Sequence, residues 1–157
     1  MDAQTNTGDI WLLDLVRNAV SRLTCDRFND ATPMWSPDGS RVLFRSNRSG
    51  TNSLYERPAN ATEPESMFLQ MPPDLRYSIN PSGPSRDGAQ ILLTVVGTSF
   101  DVWDLRVGAE RRPTPVLQTA FNEYQAVLSP DGRWMALGRS IGGGAGRVAG
   151  RHAIGSA

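Results

Sequence analysis

The stretch Pro33-Met34-Trp35-Ser36-Pro37-Asp38-Gly39-Ser40-Arg41-Val42-Leu43-Phe44 decides the fold, because its centre recurs twice. Ser36-Pro37-Asp38-Gly39 returns as Ser85-Arg86-Asp87-Gly88 and as Ser129-Pro130-Asp131-Gly132. Each copy runs into strand-like residues: Val42-Leu43-Phe44, Ile91-Leu92-Leu93 and Trp134-Met135-Ala136. Turn chemistry accounts for the motif. Pro presets φ near about −65° at the second position of a type I turn, Asp bonds local amides, and Gly takes the left-handed position that closes a bulged hairpin loop. Arg86 is the exception. A type I turn tolerates most residues where Pro sits, whereas a side chain at the left-handed position costs roughly 1 to 2 kcal/mol, so Pro is lost once and Gly never.

Around these turns lie further strands. In Asp9-Ile10-Trp11-Leu12-Leu13-Asp14-Leu15, apolar residues occupy both alternating faces, which predicts a strand covered on both sides. Val20 to Thr24 returns as a more polar strand. The couplet recurs as Leu54-Tyr55 with Met67-Phe68-Leu69, and as Asp101-Val102-Trp103 with Val116-Leu117-Gln118. Trp11, Tyr55 and Trp103 are 44 and 48 residues apart; Gly39, Gly88 and Gly132 are 49 and 44 apart. Two independent markers thus share one period, and four short strands per 40 to 50 residues is the pattern of a propeller blade.

The fold expected is all-β: about three four-stranded antiparallel blades of a partial β-propeller, with almost no helix. Residues 1–8 are read as a flexible N-terminus and 9–137 as the propeller. Within it, 9–24 form a half blade, 33–70 and 82–119 whole blades, and 126–137 another half. Trp11, Trp35, Tyr55, Trp103 and Trp134 are expected in the blade cores. In the middle copy Asn80-Pro81-Ser82-Gly83-Pro84 replaces the apolar approach to the turn, which predicts a short or frayed first strand. Residues 138–157 hold seven of the fifteen glycines, no acid and the only histidine, His152, and are expected to be a disordered Gly/Arg-rich tail.

Composition excludes several function classes. All 16 basic residues are Arg and they balance 16 acids without clustering, so no nucleic-acid partner is expected. No run of 18 apolar residues occurs, so no membrane insertion is expected, and Met1 to Gly8 lack the features of a signal peptide. As written, the chain reads as cytoplasmic. Cys25 is alone, which leaves no internal disulfide and no cysteine zinc site.

Catalytic constellations are missing too. His152, the single candidate base, lies in the tail, and no Gly-x-Ser-x-Gly turn is present. With no Lys there is no kinase nucleotide lysine, and Gly142-Gly143-Gly144-Ala145-Gly146 lacks the strand and helix that flank a phosphate loop. Asp38, Asp87 and Asp131 sit one per blade, too far apart to converge on one cation, and read as turn caps. No enzyme activity, cofactor or metal is expected.

Asp9-Ile10-Trp11, Ser21-Arg22-Leu23-Thr24, Pro33 to Phe44 and Ser46-Asn47-Arg48-Ser49-Gly50 closely resemble the TolB-type, WD-like propeller repeat of bacteria, from about residue 9 to residue 137. The order of segments, with Phe121-Asn122-Glu123 ahead of Leu128 to Ala136, resembles the propeller that follows the membrane span in many bacterial transmembrane Ser/Thr kinases. The resemblance implies a closed ring of six or more blades and a periplasmic or otherwise extracytoplasmic parent. Gly138-Arg139-Ser140-Ile141-Gly142 departs from the repeat mid-blade, as a frameshifted or truncated gene end would.

The function expected is a non-catalytic scaffold for protein–protein interaction or ligand sensing. Its protein or small-ligand partner is expected at blade-end loops, at 46–52 and 97–100, or at the connectors 26–32 and 72–78. The alternative is the gating propeller of a prolyl-oligopeptidase-type serine peptidase that has lost its hydrolase domain. Open blade faces and edges predict self-association.

Overall fold

The structure, a computed structural model, describes residues 7–71, 78–108, 110–141 and 144–147, and among these every regular element is a strand. They fall into two compact units, residues 1–75 and 76–157.

The first unit holds two antiparallel sheets. One pairs β1 (Trp11–Asp14) with β2 (Ala19–Arg22); the other has the order β3 (Asp30–Trp35), β4 (Arg41–Ser46), β5 (Ser53–Pro58), β6 (Ser66–Leu69). Because β4 is covered on both faces, Val42, Leu43 and Phe44 are all buried. The core lies between the sheets, where Ile10 and Leu23 meet Val42, Phe44 and Tyr55, with Leu12 packed alongside. That is the packing of a repeat protein, in which each module covers its neighbour's apolar face.

The second unit repeats the scheme. Its complete sheet has the order β10 (Pro113–Leu117), β9 (Phe100–Arg106), β8 (Gln90–Val96), β7 (Ser78–Pro84). Beside it lies a sheet of β11 (Asn122–Leu128), β12 (Met135–Ile141) and β13 (Gly144–Arg147). Leu92 and Val102 pack against Ala126 and Met135 across the gap.

First strands begin earlier than their apolar residues suggest, at Asp30, Ser78 and Asn122 in place of 33, 82 and 126. Most of the added residues are polar, yet they enter the ladder: Asp30 opposes Ser46, Glu123 opposes Arg139, and apolar Ile79 opposes Val95. A bulge then places Thr32-Pro33 opposite Phe44, and Gln125-Ala126 opposite Leu137, with Thr32 and Gln125 both in the left-handed region (φ 52° and 53°). The middle copy carries Pro81 at that position, which cannot take positive φ, and its bulge falls at Ser82 instead.

The strand expected to fray, β7, spans seven residues. Two properties preserve it. It is the hydrogen-bonding edge of its sheet, and because the Ser85 N–H donates to the Gln90 carbonyl, alternation turns the Pro84 nitrogen away from β8. Gly83 also lets β11 approach, since a Cβ there would lie 3.4 Å from the Val127 side chain.

Three aromatic residues expected in the core are half exposed: Trp11 at 56%, Trp35 at 50% and Trp134 at 40%. Trp35 ends the edge strand β3, Trp134 follows a turn, and among the described residues no inner strand lies beside Trp11 as one does beside its counterparts. Tyr55 is buried and Trp103 partly so.

Gly8 and the first residues of the expected tail join the regular structure. Gly8 accepts from the Asp30 N–H at 2.8 Å and donates to Asn29 Oδ1 at 3.0 Å. At the other end β12 continues to Ile141 and β13 pairs with it. Gly138 is a strand residue here, and a Cβ on it would lie 2.6 Å from the Tyr124 ring. The rest of the expected tail, His152 included, and residues 1–6 lie outside the described residues.

Candidate functional site

The three turns share one set of bonds. Ser36 Oγ donates to Asp38 Oδ1 at 2.6 Å, the Ser40 N–H donates to the same oxygen at 3.1 Å, and the Arg41 N–H donates to Ser36 Oγ at 2.9 Å. Ser85 and Asp87 repeat this with Ala89 and Gln90, and Ser129 and Asp131 with Arg133 and Trp134. Gly39, Gly88 and Gly132 sit at φ 68°, 73° and 69°, the conformation that excludes most side chains.

Donors aimed at a carboxylate favour its charged form. The Ser36 hydroxyl, followed by the Ser40 hydroxyl and amide, brings Asp38 down to about 2 from 3.8. Asp87 is lowered by Ser85 and the Ala89 amide, and Asp131 by Ser129 and the Arg133 amide. These carboxylates are turn caps with their Oδ1 atoms occupied. Among the described residues no three His, Cys, Asp or Glu side chains gather as a metal site would require.

In the second unit, two such turns flank a cleft of about 500 Å³. Arg86, Asp87 and Arg106 line one side, with Ser129, Pro130 and Asp131 across from them. Arg106 is held by Asp104 through Nε at 2.9 Å. Arg86 is exposed and has no hydrogen bond or ion pair among the described residues. It stands where Pro37 and Pro130 stand in the other copies. The cleft therefore offers one unengaged guanidinium and the outer oxygens of two ionised carboxylates.

Two of the loops expected to make contacts also bond inward. In 46–52, Arg48 reaches back to the 26–32 connector: its Nη2 lies 3.1 and 3.0 Å from the two oxygens of buried Asp30 and 2.9 Å from Asp26. It also meets Glu65 at 3.5 Å and lies over the Tyr55 ring, 4.7 Å from its centroid. In 97–100, the Phe100 N–H donates to Asn122 Oδ1 at 3.0 Å, and the Phe100 ring stands edge-on to Tyr124. Residues 72–77 of the last connector lie outside the described residues.

Solved structures with this arrangement include a TolB protein and a prolyl endopeptidase. TolB from Acinetobacter baumannii superimposes with a TM-score of 0.62 at 20% identity, over 87% of this chain and 33% of its own. The chain has a TolB-like β-propeller fold. A structure from a study of two prolyl endopeptidases gives a TM-score of 0.55 at 16% identity, over 83% of this chain and 22% of its own. A putative TolB from Agrobacterium tumefaciens gives 0.47 at 14% identity, over 86% and 67%. The chain spans a third or less of the first two. No family model matches it.

Against the TolB-like scaffold the departure at Arg86 stands out. Ser, Asp and Gly recur because the turn needs them, whereas Arg in place of Pro serves no bond within the turn. The exception was legible in the sequence. Its setting was not, because the cleft takes its second wall from a turn more than 40 residues on.

Proposed function

We propose that this chain is a non-catalytic propeller segment that binds a protein through the cleft between the Ser85–Gly88 and Ser129–Gly132 turns. The observation that supports this reading is the unpaired Arg86 at a position where the repeat otherwise carries proline. A guanidinium presents several donors in a plane and matches a carboxylate in bidentate fashion. Asp87 and Asp131 add acceptors for backbone amides, so the ligand class is a polar peptide segment bearing an acidic side chain. A sensing module in a kinase-type parent is the finer form of this reading, supported by the order of segments from Phe121 to Ala136.

Panning phage-displayed random peptides on the chain is expected to enrich acidic sequences whose binding is lost on Arg86→Ala. Enrichment that ignores Arg86, or peptide hydrolysis lost on Ser129→Ala, would overturn the reading.

A further inference from the structure

The two complete sheets place an acid and an arginine on matching rungs. In the first, Leu43 opposes Glu56 and Arg41 opposes Pro58; in the second the corresponding rungs are Leu92 with Asp104 and Gln90 with Arg106. Arg41, on β4, closes on Glu56 through Nε at 3.2 Å. In the second sheet Gln90 stands where Arg41 stands, and the cation is on β9, two residues beyond the acid. The acid has its arginine in both sheets, but in the second that arginine forms part of the wall of the Arg86 cleft.

Alternation explains where Arg106 points. Val102, Asp104 and Arg106 share one face of β9, and Val102 packs with Ala126 and Met135 of the neighbouring sheet. Asp104, 8% exposed, therefore lies between that core and Arg106 at the rim. Its Oδ2 accepts from Arg106 Nε at 2.9 Å, while Oδ1 is buried with no hydrogen-bond partner among the described residues. Arg106 is thus tethered by Nε alone. Its two Nη atoms make no hydrogen bond or ion pair among the described residues, and its side chain is 67% exposed. Its charge is felt within the cleft: after the Ser85 hydroxyl and the Ala89 amide, Arg106 is a further cause of the lowered titration of Asp87.

The Ser85 N–H donates to the Gln90 carbonyl at 2.7 Å and Gln90 opposes Arg106, so Ser85, Gln90 and Arg106 cross the sheet in one row. With neighbouring strands about 4.8 Å apart, Arg106 and the Ser85–Arg86 step are rooted roughly 10 Å from each other. We propose that Arg106, positioned by Asp104, is the second anion contact of the cleft, a step that rests on the cleft being the peptide site, and that the bound segment carries two acidic side chains separated by uncharged residues. One guanidinium fork matches one carboxylate. Held at Nε, Arg106 does not swing across to share the carboxylate bound at Arg86. An extended peptide advances about 3.3 Å per residue, so acids two or three positions apart span about 7 to 10 Å and meet both arginines. A denser run of acids gains nothing further, because Asp87 and Asp131 are ionised neighbours that repel it.

Fluorescence polarisation on the full chain, with three labelled, C-amidated peptides of glycine and serine, tests this. One peptide carries no glutamate, one carries a single glutamate, and one carries two glutamates three positions apart. At low salt the two-glutamate peptide is expected to bind roughly fivefold tighter than the one-glutamate peptide, the range of an exposed ion pair and more than the statistical advantage of a second group. Added salt is expected to shrink that ratio. The double variant Asp104→Asn with Arg106→Gln removes the buried acid together with its cation, which avoids an unpaired buried charge. It is expected to abolish the two-glutamate preference while one-glutamate binding through Arg86 persists. Arg106→Lys, which can still pair with Asp104 but has no outward fork, is expected to lower the preference as well. A general loss of fold lowers both affinities together and leaves their ratio, so the ratio reports the contact. A preference that survives in both variants, or no preference in the parent chain while Arg86→Ala still abolishes binding, overturns the second contact and leaves the peptide site standing. If neither glutamate peptide binds better than the glutamate-free one, the peptide site fails and this contact with it.

Discussion

Asp30 and Glu123 occupy the same rung of two different sheets, and each is buried against an arginine. Asp30 is 2% exposed and bonded by Arg48; Glu123 is fully buried, with Arg139 Nε at 3.2 Å. The middle copy solves the same position without charge, since Ile79 lies there, fully buried, opposite Val95. Deleting one member of a buried ion pair leaves a charge without its counter-ion, whereas an apolar pair of similar volume is tolerated. Arg48→Met is therefore expected to lower unfolding stability by about 3 to 5 kcal/mol. Asp30→Ile with Arg48→Met together is expected to be milder than Arg48→Met alone, because the uncompensated carboxylate is gone. Urea unfolding of the single and double variants measures the difference; a double variant less stable than Arg48→Met would contradict the account.

The turn carboxylates give the stability a pH dependence of known sign. Asp38 in the folded chain titrates at about 2, below its ordinary 3.8. Its ionised form therefore stabilises the fold above the ordinary value, and that contribution is lost as pH falls through about 2. Ser36→Ala removes the hydroxyl that does most to hold Asp38 down. The stability gap between the two proteins is expected to be largest at neutral pH and to shrink as pH falls from about 4 to about 2. It does not vanish, because the bond from the Arg41 N–H to Ser36 Oγ does not titrate. Unfolding curves across this range decide the matter, and a gap independent of pH would refute it.

What could be read from the chain alone followed the range of the interactions. The Gly39, Gly88 and Gly132 turns are local, so four residues were enough to place them. The strand starts around Asp30 and Glu123 were hidden because a buried acid looks like a loop residue until its arginine, 18 or 16 residues further on, is seen to pair with it. Trp11 and Tyr55 share a register that spacing revealed, yet one is exposed and the other buried, because burial depends on the strand next door. Gly138 looked like the start of a glycine tail, although its missing side chain is what admits the Tyr124 ring.

Arg86 separates stability from binding. The turn it occupies keeps the Ser–Asp–Gly bonds of its two counterparts, both of which carry proline there, so the backbone at that position already suits a fixed φ. Arg86→Pro is expected to raise unfolding stability by about 0.4 to 1 kcal/mol, because the substitution mainly narrows the unfolded ensemble. The same change deletes the free guanidinium from the cleft, and affinity for acidic peptides selected on the parent chain is expected to fall roughly 10-fold or more, the loss of one charge-assisted contact. Arg86→Lys keeps the charge but not the planar fork and is expected to fall between the two. Thermal melts and fluorescence-polarisation titrations on the three proteins test both halves. If the proline variant is stabilised and binds unchanged, Arg86 is an ordinary surface residue and the contact surface lies elsewhere on the blades; if it is destabilised, the turn itself has been misassigned.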